Sequence, residues 1–204
     1  PSGVEWLGDV PEHWEVRRLK HLTGGIQMGP FGASLTDLQA HDTGYKLFGQ
    51  ENTISGDFSR GHRWLTKTQY EALRRYELLL GDLVLTRKGS IGKCKMVPPD
   101  ASTGIADSDT VRVRLDRKQV SDRFVVLLLQ DAAYVKRQIE SVQRGAILAG
   151  LNTATIGNLQ LAVPSLLEQN TLLRQIGAET SVVSDAIAKG SQEISLLREY
   201  RTRL

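Results

Sequence analysis

The last forty residues of the chain constrain its fold more than any other stretch. From Ser165 to Leu204 there is no proline, and apolar residues recur at alternating intervals of three and four. Eight of the twelve positions in this seam are apolar, which is typical of a helix that pairs with another helix. A fully helical segment would be roughly 60 Å long at about 1.5 Å per residue. The sequence therefore predicts a helix too long to be buried by its own domain, with part of its apolar stripe covered by a partner helix.

The seam contains both apolar positions and interruptions. The apolar residues that we expect to contact a partner are Leu173, Ile176, Val183, Ile187, Ile194 and Leu197. The interruptions are polar, small or charged residues: Gln169, Thr180, Gly190 and Arg201. Polar seam residues fix the register of paired helices at a cost in stability, and a glycine allows close approach or weakens the helix locally. We expect an antiparallel partner helix along positions 173–197.

Composition restricts the class of protein. The single cysteine, Cys94, excludes a disulfide within the chain and fits a reducing compartment. No apolar run reaches transmembrane length, so a cytoplasmic protein is expected. Positions 165–204 carry five basic and five acidic side chains, whereas positions 1–164 carry 21 and 18, so the net charge of +3 lies in the first part. This excess permits nucleic-acid binding without requiring it.

Positions 1–164 have the pattern of an α+β domain with a mixed β-sheet and helices. Alternating or apolar runs bounded by turn residues predict strands at Tyr45–Gln50, on both sides of a basic glycine loop between 78 and 97, at Thr110–Leu115 and at Gln160–Val163. Helical spacing predicts helices at Thr66–Arg75, with Thr66 as N-cap, and at Ser121–Ser141. Leu151–Leu159 is predicted as a short capped turn or helix. We expect two units, a globular domain at 1–164 and the long helix at 165–204.

Three polar or glycine-rich segments are predicted loops with two possible roles. They are Gly24–Leu35, Glu51–Gly61 and the basic loop Arg87–Lys93. The basic loop is not a Walker A motif, because Arg87 stands where the first glycine is required. Each loop is either a simple turn or a backbone that approaches a polyanion closely.

Residue type and loop position select candidate DNA contacts. Positive side chains suit phosphate, and the candidates are Arg63, Arg87, Lys88 and Lys93. Amide and guanidinium groups suit base edges, and the candidates are Gln27, Gln50, Asn52 and Arg60, followed by Arg144 and Asn152.

The sequence contains no convincing catalytic constellation. Its four histidines are scattered without metal-ligand spacing, and Cys94 within a strand is typical of an inert buried thiol. Asp82 with Lys93 and Lys95 fits a nuclease pattern only by chance. We therefore expect no cofactor and no metal, and any chemistry to belong to a partner.

Several segments together resemble one family. They are Gly3–Val16, Gly29–Leu35, Gly81–Val84 with Arg87–Gly92, Asp107–Arg112, Leu159–Gln169 and Leu197–Arg201. In this order the segments resemble the specificity subunit of type I restriction–modification systems, over nearly the whole chain.

The resemblance implies a non-catalytic DNA-recognition subunit. A full subunit of the family has two target recognition domains, which read the halves of a split duplex site and are separated by two long antiparallel helices. It binds two adenine methyltransferase subunits, and a motor–nuclease subunit joins for cleavage. This chain departs from that plan by having one domain and one helix. The resemblance therefore implies half of a longer subunit, or a half-subunit that pairs with a second copy through the helix.

Two other classes remain open from the residues alone. One is a coiled-coil protein-interaction module without DNA binding. The other is a nuclease, which would need a metal signature that the sequence does not contain.

Overall fold

The computed structural model describes residues 7–31, 35, 44–88, 90, 92–144 and 150–203, with positions 143 and 144 as backbone only. The β-strands are β1 (Glu15–Arg18), β2 (Thr23–Met28), β3 (Tyr45–Phe48), β4 (Trp64–Leu65), β5 (Leu83–Thr86), β6 (Cys94–Met96), β7 (Gly104–Ala106), β8 (Thr110–Leu115) and β9 (Gln160–Val163). The α-helices are α1 (Gln50–Ser55), α2 (Lys67–Leu73), α3 (Asp122–Asp131), α4 (Ala133–Arg144), α5 (Thr153–Gly157) and α6 (Leu166–Arg203). The predicted α+β class with a long C-terminal helix is confirmed.

A four-stranded antiparallel sheet forms the middle layer, in the order β2-β8-β5-β6. Both faces of this sheet are covered by other parts of the chain, as strand β8 shows. Successive side chains of a strand point to opposite faces of the sheet. Val111 and Val113 join the largest hydrophobic core on one face. Arg112 points to the other face, where its Nη1 donates 2.6 Å to the Glu77 carbonyl. The sheet therefore separates two packed layers.

Helices α3 and α4 cover one face and differ from the single helix predicted at Ser121–Ser141. The chain leaves the helical conformation at Ala132, whose ψ is 116°. Val125 and Leu129 in α3 and Val135 and Ile139 in α4 all enter the same core. In one straight helix the mean directions of the two pairs would differ by about 80°, because the centres of the pairs are ten residues apart at about 100° each. The break at Ala132 turns both pairs toward the sheet.

The opposite face carries a second, three-stranded sheet in the order β4-β3-β7, whose β3 and β7 are parallel. Helix α1 follows β3 and packs against β5 and β6 of the central sheet, where the sequence predicted a strand reaching Gln50 and then a loop. The Asn52 side chain accepts a hydrogen bond from Gly49 N at 3.0 Å, and Gly56 ends the helix with φ of 77°. These two caps make a helix of a segment whose composition is typical of a loop.

The predicted loop Gly24–Leu35 is also partly wrong, because its first residues belong to β2. This strand pairs with β8 through a bulge between Thr23 and Gly25. Backbone pairing with a long neighbour therefore outweighs the low strand preference of glycine. The other predicted elements are confirmed in type and place: α2 with Thr66 as N-cap, β5, β6, β8, α5 and β9. Helix α5 has Asn152 as its N-cap.

The N-terminal segment and the start of α6 are joined. Strand β1 pairs with β9, directly before α6. Trp14 Nε1 donates to Glu168 Oε1 at 2.9 Å, and His13 Nε2 lies 3.0 Å from Glu168 Oε2. The hydrogen bond from Trp14 and the contact with His13 lower the pKa of the Glu168 carboxyl. The beginning of the long helix is thus held by residues more than 150 positions earlier.

Helix α6 runs for 38 residues and is about 57 Å long at 1.5 Å per residue. Of its side chains, all within the described range, Gln169 alone is buried. Beyond its first turns the seam is exposed, and the apolar side chains that face solvent include Ile176, Val183, Ile187, Ile194 and Leu197.

Gln169 does not act as the seam interruption that the sequence suggested. Its Oε1 accepts from Ser121 N at 2.8 Å, and its Nε2 donates to the carbonyls of Pro164 at 2.8 Å and Gln119 at 3.2 Å. A fully buried carboxamide with three backbone partners fixes the helix to the globular part. Gln169 therefore anchors α6 within its own chain.

Candidate nucleic-acid interface

Three connections meet at one edge of the central sheet. Met28 at the end of β2 pairs with Val111, and Thr86 at the end of β5 pairs with Thr110. The segments that follow β2 and β5 therefore adjoin the turn that precedes β8. We call this edge the loop edge, made of the described residues 29–31, 87, 88, 90, 92, 93 and 107–109. A Cβ on Gly29 would lie 2.0 Å from the Asp107 carbonyl oxygen, so the close contact between the first and third segments requires glycine.

The turn before β8 is the centre of the loop edge. Asp107 Oδ1 accepts from Asp109 N at 3.1 Å and from Thr110 Oγ1 at 3.0 Å. Asp107 Oδ2 accepts from Arg63 Nη2 at 2.9 Å. Burial raises the pKa of the Asp107 carboxyl, although Arg63 and Thr110 oppose the shift. The turn is therefore rigid and carries a carboxylate on which Arg63 is fixed.

The side chains of Arg87 and Lys88 both contact Asp109 in this turn. Lys88 Nζ is 2.9 Å from Asp109 Oδ1, and Arg87 Nη1 is 3.9 Å from the same oxygen. Arg87 Nε also donates to the Leu151 carbonyl at 3.2 Å, and its guanidinium lies 5.2 Å from the centroid of the Phe31 ring. Arg87 of the basic loop thus contacts both Phe31, in the predicted glycine-rich segment, and Leu151, the residue before Asn152.

A second segment, residues 56–63, joins the loop edge through Arg63. Two buried side chains bind its backbone carbonyls. Asn52 Nδ2 donates to the carbonyls of Asp57 at 3.0 Å and Arg60 at 2.9 Å. Lys46, 2% exposed, donates through Nζ to the carbonyls of Ser59 at 2.5 Å and Gly61 at 3.1 Å. This segment is therefore pre-shaped while the Arg60 side chain is exposed.

Eight of the ten predicted contact residues fall into three groups. Those exposed or half-exposed around the loop edge and segment 56–63 are Gln50, Arg60, Arg63, Arg87, Lys88 and Lys93. Asn152 is exposed but is used as the N-cap of α5, where its Oδ1 accepts from Thr155 N at 2.8 Å. The Arg144 side chain lies outside the described residues.

The other two predicted base-reading residues already have hydrogen-bond partners within the protein. Asn52 is 0% exposed, and its carboxamide holds α1 and segment 56–63, so it positions Arg60 and cannot itself reach a base in this conformation. Gln27 accepts a hydrogen bond from Arg112 across the β2–β8 pair, within the layer between the two sheets. The pattern of residue types did not distinguish exposed amides from those that satisfy buried backbone groups.

Four participants were not predicted from the sequence: Lys46, Asp107, Asp109 and Phe31. Asp107 and Asp109 were passed over because carboxylates repel DNA phosphates. Lys46 was passed over because a lysine in a predicted strand is usually solvent-exposed. The spacing of Asp107 and Asp109 directly before a strand is a usable signal, because such aspartates close turns by accepting backbone hydrogen bonds.

The described part of the chain offers little that supports catalysis. Cys94 is buried, and burial raises the pKa of its thiol to about 11, so it is protonated and unreactive near neutral pH. Among the described residues, no group of three or more His, Cys, Asp or Glu side chains is placed to hold a metal ion. None of the described helices is both long and apolar enough to cross a membrane.

Comparisons with known proteins agree with the resemblance noted in the sequence. No family model matches the chain. A Methanocaldococcus jannaschii protein, provisionally named the type I restriction enzyme MjaX specificity subunit, is 22% identical over 205 residues, which cover 96% of this chain and 45% of that protein.

Solved structures share the fold. A chain from a study of assembly and conformational transition of the type I R-M system matches with a TM-score of 0.65 and 16% identity, over 94% of this chain and 45% of its own length. The HsdS subunit from Thermoanaerobacter tengcongensis matches with a TM-score of 0.61 and 17% identity, over 88% of this chain and 41% of its own. The chain thus spans somewhat less than half the length of the proteins that it matches. It has, over nearly all its length, the fold of the specificity subunits of type I restriction–modification systems.

Proposed function

We propose that the chain is a non-catalytic, sequence-specific DNA-recognition subunit of a type I restriction–modification enzyme. The observation that carries this proposal is the fold match over 94% of the chain, which includes both the globular part and the long helix. The loop edge supports it independently, because exposed cationic side chains stand on a rigid turn beside a pre-shaped polar segment. Such a surface offers both phosphate and base-edge contacts.

The two kinds of contact divide between the two segments. Lys88 and Lys93 are the exposed cations of the basic loop and are assigned to phosphates, with Arg87 behind them. Arg60, in the segment held by Asn52, and Gln50, at the start of α1, are assigned to base edges. Arg63 is fixed on Asp107 and Glu51, at 2.9 and 3.0 Å, and joins the two segments.

The decisive experiment is selection of duplexes from a randomised pool by the purified chain, without divalent metal. Enrichment of one sequence element supports the proposal. If the chain shifts no duplex at low salt, the proposal fails and a protein-interaction module without DNA binding is favoured. Cleavage of duplex by the purified chain on adding Mg²⁺ would instead indicate a nuclease.

Removing the Lys88 ammonium tests the phosphate assignment. Lys88→Ala should weaken binding to selected and random duplexes alike and reduce the slope of log K against log salt concentration by about 1. The matched control is Lys118→Ala, an exposed lysine beyond the opposite end of β8. Equal slopes for Lys88→Ala and wild type in salt titrations would remove Lys88 from the interface.

Removing the Arg60 guanidinium tests base readout. Arg60→Ala should cost about 1–3 kcal/mol on the selected duplex and relax the preference at one base pair, because a bidentate arginine discriminates against other bases by that amount. Random duplexes should lose much less. An unchanged selected sequence from the variant would assign Arg60 to the backbone or to solvent.

The long helix is assigned to spacing and assembly. Its seam is symmetric about position 185, so that two antiparallel copies place Leu173 opposite Leu197, Ile176 opposite Ile194 and Val183 opposite Ile187. The interruptions Thr180 and Gly190 then also face each other. The partner helix comes from a second copy or from a second half of a longer specificity subunit, and an isologous pair would place two recognition domains around one axis.

The remaining assignments follow from the same proposal. Residues 1–164 would act as the target recognition domain and residues 165–204 as the spacer between two domains. Adenine methyltransferase subunits and a motor–nuclease subunit would supply the chemistry on duplex DNA. Co-purification of a methyltransferase subunit with this chain tests that assignment, and failure of every methyltransferase encoded beside it to bind would contradict it.

A further inference from the structure

An exposed cation of the loop edge is already paired with an acid of the same chain. Asp109 Oδ1 lies 2.9 Å from Lys88 Nζ, and the side chains of Asp109 and Lys88 are 32% and 51% exposed. The carboxylate partly neutralises the ammonium and holds it on the protein surface. A DNA phosphate therefore competes with Asp109 for Lys88.

The two partners differ in their freedom to move. Asp109 N donates to Asp107 Oδ1 at 3.1 Å, and the Asp109 carbonyl accepts from Arg87 N at 3.0 Å, so its backbone is held on both sides. The Lys88 side chain has four rotatable methylene groups and reaches solvent. Exchange of partners therefore moves the lysine and leaves the carboxylate in place.

Arg87 provides a substitute partner for the carboxylate. Its Nη1 is 3.9 Å from Asp109 Oδ1, and the guanidinium is held by the Leu151 carbonyl and stands over the Phe31 ring. When Lys88 leaves, Asp109 still faces a fixed positive charge. This arrangement lowers the cost of opening the Lys88–Asp109 pair, because the acid is not left unpaired.

We propose that Asp109 is an autoinhibitory counter-charge, which holds Lys88 in the DNA-free protein and weakens binding to every duplex by competing with phosphate. The inference rests on the proposed DNA-recognition function. Asp109 acts on the part of the affinity that is independent of sequence, because the phosphate that it imitates is the same at every step. The selected sequence should not depend on it.

The test compares two substitutions that change the net charge equally. Asp109→Asn removes the counter-charge, and Asp122→Asn removes the acid of the Arg117–Asp122 pair, which has a similar distance of 2.8 Å and lies beyond the opposite end of β8. On a random-sequence duplex at low salt, Asp109→Asn should bind about threefold more tightly than Asp122→Asn, which is the scale of one exposed ion pair. Most of this gain should disappear in the Lys88→Ala background, whereas a purely structural role would leave it unchanged.

The outcomes separate the inference from the function on which it rests. Equal affinities of Asp109→Asn and Asp122→Asn, or a full gain without Lys88, would overturn the role of Asp109 alone. Absence of duplex binding by the wild-type chain would overturn the proposed function itself. Thermal unfolding checks that each variant is folded, and Asp109→Ser replaces Asp109→Asn if the asparagine variant is not.

Discussion

Replacing Val183 with aspartate should convert a dimer of this chain into a monomer at micromolar concentration. Val183 is 57% exposed on the seam of α6, and an antiparallel pair would bury it against Ile187 of the second copy, twice per interface. Losing two buried valines costs about 3 kcal/mol, roughly a hundredfold in Kd, before the cost of burying two carboxylates is added. Solution scattering or sedimentation over a concentration series gives the measurement.

The adjacent valine supplies a matched control. Val182 is 70% exposed and lies off the seam, so Val182→Asp introduces the same charge into the same helical turn without entering the interface. We expect Val182→Asp to remain dimeric. Equal weakening by both substitutions would indicate a loss of helix rather than of pairing. A wild-type chain that is monomeric at the same concentrations would contradict pairing with a second copy.

Removing the Gln169 carboxamide should destabilise the protein by on the order of 3 kcal/mol. The alanine variant leaves Ser121 N and the carbonyls of Pro164 and Gln119 without their partner, and each buried polar group left unsatisfied costs about 1–3 kcal/mol. Denaturant unfolding of Gln169→Ala, followed through the globular part, measures the loss.

A second glutamine of the same helix isolates the effect of these hydrogen bonds. Gln175 is exposed, so Gln175→Ala makes the same chemical change where no buried group depends on it, and we expect a shift within about 0.5 kcal/mol. If Gln169→Ala were as stable as Gln175→Ala, water would have to satisfy the three backbone groups, and α6 would be anchored by its other contacts, such as that of Glu168 with Trp14.

The elements predicted correctly are those whose signals are local. Thr66 and Gln69 form a capping box three residues apart, and the seam of α6 repeats every three or four residues. The two main errors had different causes. Helix α1 depends on the Asn52 cap, a local signal three residues from Gly49 that the composition of the segment concealed. The break at Ala132 depends on the sheet against which α3 and α4 both pack, which is a contact distant in sequence.

The candidate contacts show the same limit. Residue type selected Arg63, Arg87 and Lys88, and the structure brings all three to the turn of Asp107 and Asp109. Type alone also selected Asn52, which is buried, and passed over Asp109, which is paired with Lys88 at 2.9 Å. Burial and pairing are properties of the packed chain, and an amide or a carboxylate has no intrinsic preference strong enough to reveal them.

The sequence by itself determined the long helix, the positions of most strands along the chain and the excess of positive charge in the globular part. These follow from periodicity, capping and composition, which act within a few residues. Only the tertiary structure decided that Gln169 anchors the helix across 48 positions to Ser121, and that Arg63 meets Asp107 across 44. Such contacts form only after the sheet has closed the intervening loops, so they depend on the packing of the whole domain.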